Sequence, residues 1–423
     1  MAGVIQIFFG FMKLGRFANF FPLAAIHGML AAIGLIIIAK QVPVLLNVDP
    51  VFAKGKDPLE LLAYIPTFIS KSDLQVASIG LASLVLIFAW PGIRNPLLKR
   101  IPAPLLVLAG VIPLSILLDL KHHAPAYTLV KTGSLLENLS LNVDFSGIRL
   151  PEVFLKYTVM FALVGSLESL LTVKAIDLLD PSGQKSDANK DLIAIGIGNI
   201  FCGFLGGLPM ISEVARSSNN LSNGARTRWA NFFHGFFILC FLLLAVSVLE
   251  LIPNTALAAM LVAVGYRLAN PKEFRHMLAI GWEQLAIFLT TIFFTLFEDL
   301  LVGIAAGIIL KLILHLLYGA RWPELFRPSY KIQGLQESPI VVLERSLIFS
   351  NWLTLKKVLD SISGNGQITI DVSGVKLLDH STRENLVHFK EDHEHNGSSV
   401  QIIGIENLVP VSSHPLASLR SKA

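Results

Sequence analysis

The apolar residues of this chain gather into long runs instead of the short alternations that soluble proteins show. A helix that crosses a bilayer needs about 20 mostly apolar residues. Five stretches of about this length contain no Asp, Glu, Lys or Arg. They are 17–39, 74–93, 101–118, 192–212 and 229–249. The pattern predicts a polytopic α-helical membrane protein.

Further apolar stretches are less regular. Lys156 and Glu168 lie within 153–173, and Pro253 lies within 251–266. The stretch 284–320 is long enough for two passes broken at Glu298 and Asp299, and it carries Lys311. Residues 1–12 resemble the end of another span. We therefore expect about ten spans or half-spans over residues 1–320.

Composition supports this division. The chain is 53% hydrophobic and 15% charged, whereas soluble domains are about a quarter charged, and its mean hydropathy is +0.64. The last 103 residues hold 11 Lys and Arg and 11 Asp and Glu, so the net charge of +4 belongs to the membrane part. These values exclude a disordered chain, disfavour an ordinary soluble enzyme and do not imply nucleic acid.

Loop charges predict the orientation. With the C-terminal part placed in the cytoplasm, the loops on that side collect 13 Lys and Arg, and the opposite loops collect eight, among them Lys40. Positive residues favour the cytoplasmic side. We therefore expect a multi-pass protein of the cytoplasmic membrane.

A break interrupts the run that ends at 212. Gly206, Gly207 and Pro209 precede a polar stretch that is too hydrophilic for a lipid-facing helix. In transporters, discontinuous helices of this kind begin at mid-depth and point their N-termini at anions. The sequence predicts such a half-helix, with Ser212, Glu213, Val214 and Ala215 in its first turn.

The C-terminal part reads as alternating strands and helices. Short β-branched stretches at 340–343, 367–370 and 400–403 predict strands, and 353–362 and 382–393 have helical spacing, with Ser381 at the start of the second helix. We predict a small α/β domain over 337–410, a linker over 321–336 and a tail over 411–423.

Several motifs resemble the SulP family of sulfate permeases and bicarbonate transporters. FALVGSLESLL at 161–171 resembles the eighth helix of that family. DAN at 187–189, GFLGGLP at 203–209, RS at 216–217 and NGART at 223–227 resemble the ninth and tenth helices. DVSG at 371–374 and LD at 378–379 resemble the STAS domain that these transporters carry.

The resemblance implies a fold of fourteen helices in two inverted repeats of seven, with half-helices three and ten facing each other across the substrate. On this mapping residues 1–12 end helix four and 17–39 form helix five. The chain is then N-terminally truncated and lacks half-helix three. We therefore expect either a fragment or a product that inserts into the membrane without transporting.

An acidic residue inside a span marks a second candidate site. Glu168 and Thr172 are four residues apart and share one helix face, and an ionisable residue within the membrane suggests function. A carboxylate and a hydroxyl suit Na⁺ or a proton relay, and relatives carry an acidic residue here. The alternative is a structural carboxylate paired with a neighbouring helix end or an Arg.

The half-helix supplies the expected substrate contacts. We expect the anion to be bound by the segment consisting of Ile211, Ser212, Glu213, Val214, Ala215 and Arg216. Glu213 departs from the small residues of the family and repels an anion unless it is protonated, turned away or paired with a cation. Arg216 either balances the anion or locks helices together through Glu168 or Glu213. Three Asn residues are expected to cap the half-helix: Asn219, Asn220 and Asn223.

Two features of the small domain do not predict a functional site. His388, His393 and His395 stand among acidic residues but lack the spacing of a metal site. His380 occupies the position at which related STAS domains have a phosphorylated Ser, and Ser381 is one step out of register. We therefore expect neither a resident cofactor nor a metal, apart from Na⁺ or H⁺ as a coupling ion.

The first functional hypothesis is secondary transport of a small inorganic anion, sulfate or bicarbonate, with Na⁺ or H⁺ coupling. Its expected partners are the anion, the bilayer and a second copy of the chain in a homodimer. The alternative is a non-transporting fragment that anchors a STAS interaction module. A nucleobase permease shares the architecture, but the STAS-like tail argues against it. The sequence contains neither a P-loop nor a nucleophile elbow, so no such motif suggests an enzyme.

Overall fold

The computed structural model describes residues 1–93, 101–125, 127–131, 149–180, 185–335, 338–362, 367–395 and 399–421. The chain divides into two compact units. The first comprises Met1–Phe8, Leu30–Lys185 and Asp191–Asn270. The second comprises Phe9–Met29, Ser186–Lys190 and Pro271–Ala423.

Most of the first 320 residues are helical. The α-helices described in this part are α1 Ala2–Phe11, α2 Leu23–Leu45, α3 Pro58–Ala63, α4 Ile65–Ser70, α5 Leu74–Ala89, α6 Ala103–Leu117, α7 Leu120–His123, α8 Pro151–Leu179, α9 Ala188–Phe204, α10 Val214–Ser222, α11 Trp229–Leu244, α12 Val246–Leu249, α13 Asn254–Leu268, α14 Pro271–Ile280, α15 Trp282–Phe297 and α16 Leu300–Leu317. Single 3₁₀ turns or short 3₁₀ helices cover Leu14–Phe20, Pro50–Phe52, Trp90–Gly92 and Trp322–Leu325.

Among the described residues, four helices are long and apolar enough to cross a membrane: Leu23–Leu45, Leu74–Gly92, Pro151–Leu179 and Leu300–Leu317. The first begins six residues after the predicted start at 17, because Leu14–Phe20 forms a 3₁₀ helix. Lys40, predicted to lie in a loop, lies inside α2. Apolar runs identify membrane helices, but they do not show where the backbone changes its helix type.

Glycines allow two helices of the first unit to cross closely. A Cβ atom on Gly265 of α13 would lie 2.7 Å from the carbonyl oxygen of Gly34 in α2. Real side chains do not approach a backbone oxygen so closely, so any larger residue would push the helices apart. Small residues permit such backbone contacts where apolar packing between membrane helices gives little driving force.

The predicted break near residue 298 is confirmed. Helix α15 ends at Phe297 and α16 begins at Leu300. The side chain of Asp299 accepts a hydrogen bond from the amide of Val302 at 2.8 Å. This bond satisfies one of the amide groups that a helix leaves unpaired in its first turn.

The interruption after α9 is also confirmed, although the half-helix begins later than predicted. Helix α9 ends at Phe204, and α10 begins at Val214 with Glu213 as its N-cap residue. Ser212 therefore precedes the helix and does not belong to its first turn. The bonds that Ser212 makes to α8 and α9 hold it in the preceding non-helical segment, which the local sequence alone did not indicate.

The C-terminal part forms a mixed sheet with two helices. Its elements are β1 Ser329–Leu335, β2 Ser338–Leu347, α17 Phe349–Ile362, β3 Gln367–Leu378, α18 His380–His395, β4 Ser399–Ile403, β5 Leu408–Pro410 and β6 Leu419–Ser421. The strand order is β1-β2-β3-β6-β5, and β4 pairs with the N-terminal half of β3. β3 is parallel to β2 and β4, whereas β6 is antiparallel to it.

All three predicted strands and both predicted helices of the small domain are present. Buried residues from strands and helices, among them Leu343, Leu355, Ile370 and Phe389, form its core. Strand β1 lies in the segment predicted as a linker, and β6 lies in the predicted tail. The sheet thus extends beyond 337–410 on both sides: β1 pairs with the adjacent strand β2, and β6 lies between β3 and β5.

Candidate functional site

An extended segment leads into half-helix α10, and α9 holds its first part. The amide of Met210 donates to Asn199 Oδ1 at 2.6 Å, and Asn199 Nδ2 donates to the Met210 carbonyl at 2.9 Å. Asn199 Nδ2 also donates to Gln6 Oε1 at 2.8 Å. One amide side chain therefore replaces the backbone partners that an interrupted helix lacks.

Ser212 is held from two sides. Its amide donates to Ser169 Oγ of α8 at 3.2 Å, and its hydroxyl donates to Asp191 Oδ2 of α9 at 3.1 Å. Its carbonyl accepts from the Thr172 hydroxyl at 3.0 Å. Ser212 thus uses both of its donors within the protein, so it fixes the segment and leaves anion donation to the residues that follow.

The N-terminus of α10 supplies those donors. Glu213 makes no side-chain capping bond, and the first amides of an α-helix have no intrahelical acceptor. Here they belong to Val214, Ala215 and Arg216. Val214 and Ala215 are buried, and Ile211 before them is 38% exposed. The positive end of the helix dipole therefore stands at residues 214–216.

Arg216 pairs with Glu213, one of the two partners predicted for it. Arg216 Nε lies 2.9 Å from Glu213 Oε2, and the two side chains are 79% and 46% exposed. The carboxylate that departs from the family pattern is thus paired with a cation. An exposed pair of this kind is weak, so an arriving anion can compete with Glu213 for the guanidinium group.

The C-terminal end of α10 is capped by Asn223, one of the three Asn residues that were predicted to cap this helix. Asn223 is the C-cap residue, and its Nδ2 donates to the carbonyl of Asn219 at 2.7 Å. Asn219 Oδ1 accepts from Arg267 Nη2 at 3.4 Å. These contacts tie α10 to α13 within the first unit.

Two cavities border α10, and both are lined by Glu213, Arg216, Asn219 and Asn223. One, of about 810 Å³, opens toward residues of α2, α5 and α13. The other, of about 1050 Å³, is bordered by Asp191, the extended segment and α11. The half-helix is therefore accessible from two sides, as a binding element needs to be.

The predicted coupling residues lie beside this segment. Glu168 is half-buried on α8, one turn before Thr172. The Thr172 hydroxyl donates its hydrogen to Ser212, so its oxygen lone pairs remain for a cation. The bond from Thr172 to Ser212 joins α8, which carries the predicted coupling residues, to the segment that precedes α10.

Sequence reasoning missed Ser169, Asp191 and Asn199. Each is a polar side chain on a mostly apolar helix, and each holds the extended segment. Polar residues inside spans are costly without a partner, so Asp191 and Asn199 in α9 carried a usable signal. Their partners could not be foreseen, because Met210 and Ser212 become neighbours of α9 only after the chain turns back at Gly206.

Ser381 and His388 of the small domain have partners within the protein, and the side chain of His395 lies outside the described residues. Among the described residues, no three His, Cys, Asp or Glu side chains are grouped to hold a metal. His388 lies 3.3 Å from Glu391. Ser381 is 1% exposed, and its hydroxyl accepts from Lys311 Nζ at 2.8 Å and from the Leu23 amide at 3.3 Å. This burial shields Ser381 from a modifying enzyme.

A buried ion pair lies at the start of α18 in the second unit. Lys311 Nζ contacts Asp379 Oδ2 at 2.9 Å, and both side chains are 1% exposed. Asp379 Oδ1 also accepts from the Thr382 amide at 2.7 Å, so Asp379 caps α18, two residues before Ser381, where the start of this helix was predicted. Burial alone raises the pKa of the Asp379 carboxyl, but Lys311, His315 and the Thr382 bond outweigh it and bring the pKa to about 2.

Comparisons with known proteins find related chains. The chain is 27% identical over 318 residues to the putative sulfate transporter YvdB of Bacillus subtilis, covering 74% of this chain and 58% of that protein. It is 27% identical over 313 residues to the bicarbonate transporter BicA of Picosynechococcus, covering 73% and 53%. The chain thus spans little more than half the length of these relatives.

Solved structures show the same fold. The structure of SLC26A9 matches with a TM-score of 0.58 and 16% identity, covering 96% of this chain and 68% of that one. The transmembrane domain of a cyanobacterial BicA matches with a TM-score of 0.51 and 23% identity, covering 73% and 74%. The predicted fold class, a helical transporter fold followed by a small α/β domain consistent with STAS, is confirmed.

A family model adds the decisive evidence. The model of the sulfate permease family matches residues 1–291, which include all of the helices around the interrupted segment. The chain belongs to the sulfate permease family, as its motifs predicted.

Proposed function

We propose that this chain contributes the α10 side of the pathway in a secondary transporter for a small inorganic anion, sulfate or bicarbonate. The observation that carries the proposal is the tethered segment 210–212, after which Glu213 and Arg216 at the N-terminus of α10 line two cavities. The names of relatives, sulfate transporter and bicarbonate transporter, support the same class of substrate.

The anion is bound by dipoles and one exchangeable cation. The amides of Val214, Ala215 and Arg216 donate to its oxygens, as helix N-termini do for phosphate and carboxylate. Arg216 then turns from Glu213 toward the anion, because a guanidinium–oxyanion contact replaces the weak exposed pair. Glu213 keeps the empty site from retaining a positive charge without a counter-ion.

Coupling is assigned to Glu168 and Thr172. A carboxylate and a hydroxyl suit a small hard cation, and a carboxylate alone suits a proton. Thr172 transmits occupancy through its bond to the Ser212 carbonyl. A cation on these groups therefore favours the geometry in which the following amides of α10 face the anion.

The remaining assignments follow the sequence. We propose that the small domain lies in the cytoplasm, since that orientation places on the cytoplasmic side 13 of the 21 Lys and Arg residues that the sequence predicts between or at the ends of spans. A homodimer is proposed as the assembly, and mass photometry of the detergent-purified protein measures it. A monomer at all concentrations contradicts the dimer.

Binding of labelled sulfate and bicarbonate to the purified full chain tests the anion site. Arg216→Gln is expected to weaken binding about tenfold or more, since a charge-assisted hydrogen bond is lost. Arg226→Gln removes an exposed cation that lines neither cavity and serves as the matched control. Equal binding by Arg216→Gln and the parent chain contradicts the site.

Coupling is tested by linkage. A coupling cation raises anion affinity, and by reciprocity the anion raises cation affinity by the same factor. Titrating Na⁺ at fixed pH and pH at fixed Na⁺ separates the two ions. Glu168→Gln is expected to abolish the dependence while anion binding persists. If Glu168→Gln retains the parental dependence, Glu168 is structural.

A further inference from the structure

The cavity of about 810 Å³ beside α10 collects positive charge from three different helices. Its polar lining consists mainly of Lys40, Gln41, Glu213, Arg216, Asn219 and Arg267. Lys40 is the only Asp, Glu, Lys or Arg residue of α2, Arg216 is the only one of α10, and Arg267 is the only one of α13. Three helices thus contribute one charged residue each, and all three residues are basic. We call this space the cationic cavity.

Only one carboxylate offsets these charges among the lining residues. Glu213 is that carboxylate, and it is already paired with Arg216 at 2.9 Å. In the part of the chain that the structure describes, neither Lys40 nor Arg267 forms an ion pair. Arg267 is oriented by its bond to Asn219 Oδ1. The described lining of the cationic cavity therefore carries two positive charges, Lys40 and Arg267, beyond its internal pair.

Charges within membrane helices are expensive unless they have a partner or a task. The rest of the described cavity wall does not provide a partner for Lys40 or Arg267. Ile36, Ile37, Ile87, Met260 and Val264 form its apolar part. Lys40 and Arg267 are both exposed and line this space, so both cations are accessible to an anion that enters the cavity.

We infer that Lys40 and Arg267 select the charge of the substrate, and that the cationic cavity accepts a divalent oxyanion of the sulfate class in preference to bicarbonate or chloride. This inference rests on the proposed function and names its substrate class. Two excess positive charges are neutralised by one dianion, whereas a monovalent anion leaves one charge uncompensated. Arg267 offers a planar fork that matches two oxygens of an oxyanion, and Lys40 acts as a point charge.

The inference is tested by the ratio of the affinities for different anions, and not by the affinity for one anion alone. Dissociation constants for sulfate, chloride and bicarbonate are measured on the full chain and on Lys40→Gln and Arg267→Gln. Coulomb energy scales with the product of the charges, so removing one cation costs a dianion twice the free energy that it costs a monoanion. We expect each variant to lose about tenfold in sulfate affinity and about threefold in chloride affinity.

Two further variants serve as controls. Lys54→Gln removes an exposed cation that does not line the cavity, and it is expected to leave the sulfate-to-chloride ratio unchanged. Arg267→Lys keeps the charge and loses the fork, so it is expected to keep the preference for divalent over monovalent anions. The ratio is measured within one preparation and does not depend on the folded fraction.

The outcomes separate the two proposals. If Lys40→Gln and Arg267→Gln weaken sulfate and chloride by equal factors, or if Lys54→Gln shifts the ratio as they do, the charge-selection inference is wrong and the anion site stands. If the parent chain prefers chloride or bicarbonate to sulfate, the inference is also wrong. If the parent chain binds none of the three anions, the proposed function fails, and the inference fails with it.

Discussion

Two ion pairs of this protein have similar chemistry and opposite surroundings. Arg216 and Glu213 meet at 2.9 Å with side chains that are 79% and 46% exposed. Lys311 and Asp379 also meet at 2.9 Å, but each side chain is 1% exposed. Exposed pairs contribute about 0–1 kcal/mol to stability, whereas removing one partner of a buried pair costs about 3–5 kcal/mol.

The difference indicates what each pair does. Arg216 can exchange Glu213 for an anion at little cost, so its pair suits a binding site. Lys311 and Asp379 have no solvent to replace a lost partner, and Asp379 also accepts bonds from the amides of Thr382 and Phe349. Their pair therefore fixes the starts of α17 and α18 against α16, and it is structural.

The largest expected effect is at Lys311. Lys311→Met leaves the Asp379 carboxylate buried without its cation, so we expect the free energy of unfolding to fall by about 3–5 kcal/mol. Denaturant titration of the purified chain measures it. Lys311→Met combined with Asp379→Asn is expected to recover much of the loss. If the double variant is as unstable as the sum of the single variants, the two residues are not energetically coupled.

The second prediction concerns pH. The pKa of Asp379 is about 2 in the folded protein, below its ordinary value of 3.8. A depressed folded pKa gives stability that is present above the unfolded pKa and is lost as pH falls toward 2. We expect about 2 kcal/mol to be lost between pH 4 and pH 2. The measurement is the difference in acid unfolding between the parent chain and Asp379→Asn, in which this part should vanish.

The third prediction sharpens the contrast within the binding region. Asn199→Ala removes the reciprocal bonds that hold Met210. We expect a loss of about 1–2 kcal/mol in stability together with weaker anion binding, because the segment before α10 loses its position. Asn199→Asp can still accept from the Met210 amide and should bind anion better than Asn199→Ala. Equal binding by both variants and the parent argues against the tether.

The smallest expected effect is at Glu213. Glu213→Gln breaks an exposed pair, so the free energy of unfolding should change by less than about 1 kcal/mol. Anion affinity is expected to rise about threefold, because Arg216 no longer has a competing carboxylate. Glu60→Gln, an exposed carboxylate on α3, is the matched control. A fall in anion affinity would show that Glu213 orients Arg216 and does not compete for it.

The sequence alone predicted the main elements because their signals are local. Long apolar runs located the four described helices that can cross a membrane, two of them despite charged residues inside the run. Asp299 marked the break between α15 and α16, and the Gly206–Pro209 region marked the interruption before α10. The strands and helices of the small domain followed from β-branched stretches and helical spacing. Family motifs identified the sulfate permease family, because several of them, including the one at Arg216, follow that break in the order and spacing along the sequence that the family shows.

The tertiary structure decided the features that depend on residues far apart in the chain. Ser169, Asp191 and Asn199 hold the extended segment only because α8, α9 and residues 210–212 become neighbours on folding. Strand β6 gains its place in the sheet by pairing with β3, which lies far from it in the chain. Lys311 reads as one more charge in an apolar run, and its burial against Asp379, 68 residues later, makes it a structural cation. The sequence determines which charged groups the protein has. Burial and the distance to a partner decide whether such a group stabilises the fold or can bind a ligand.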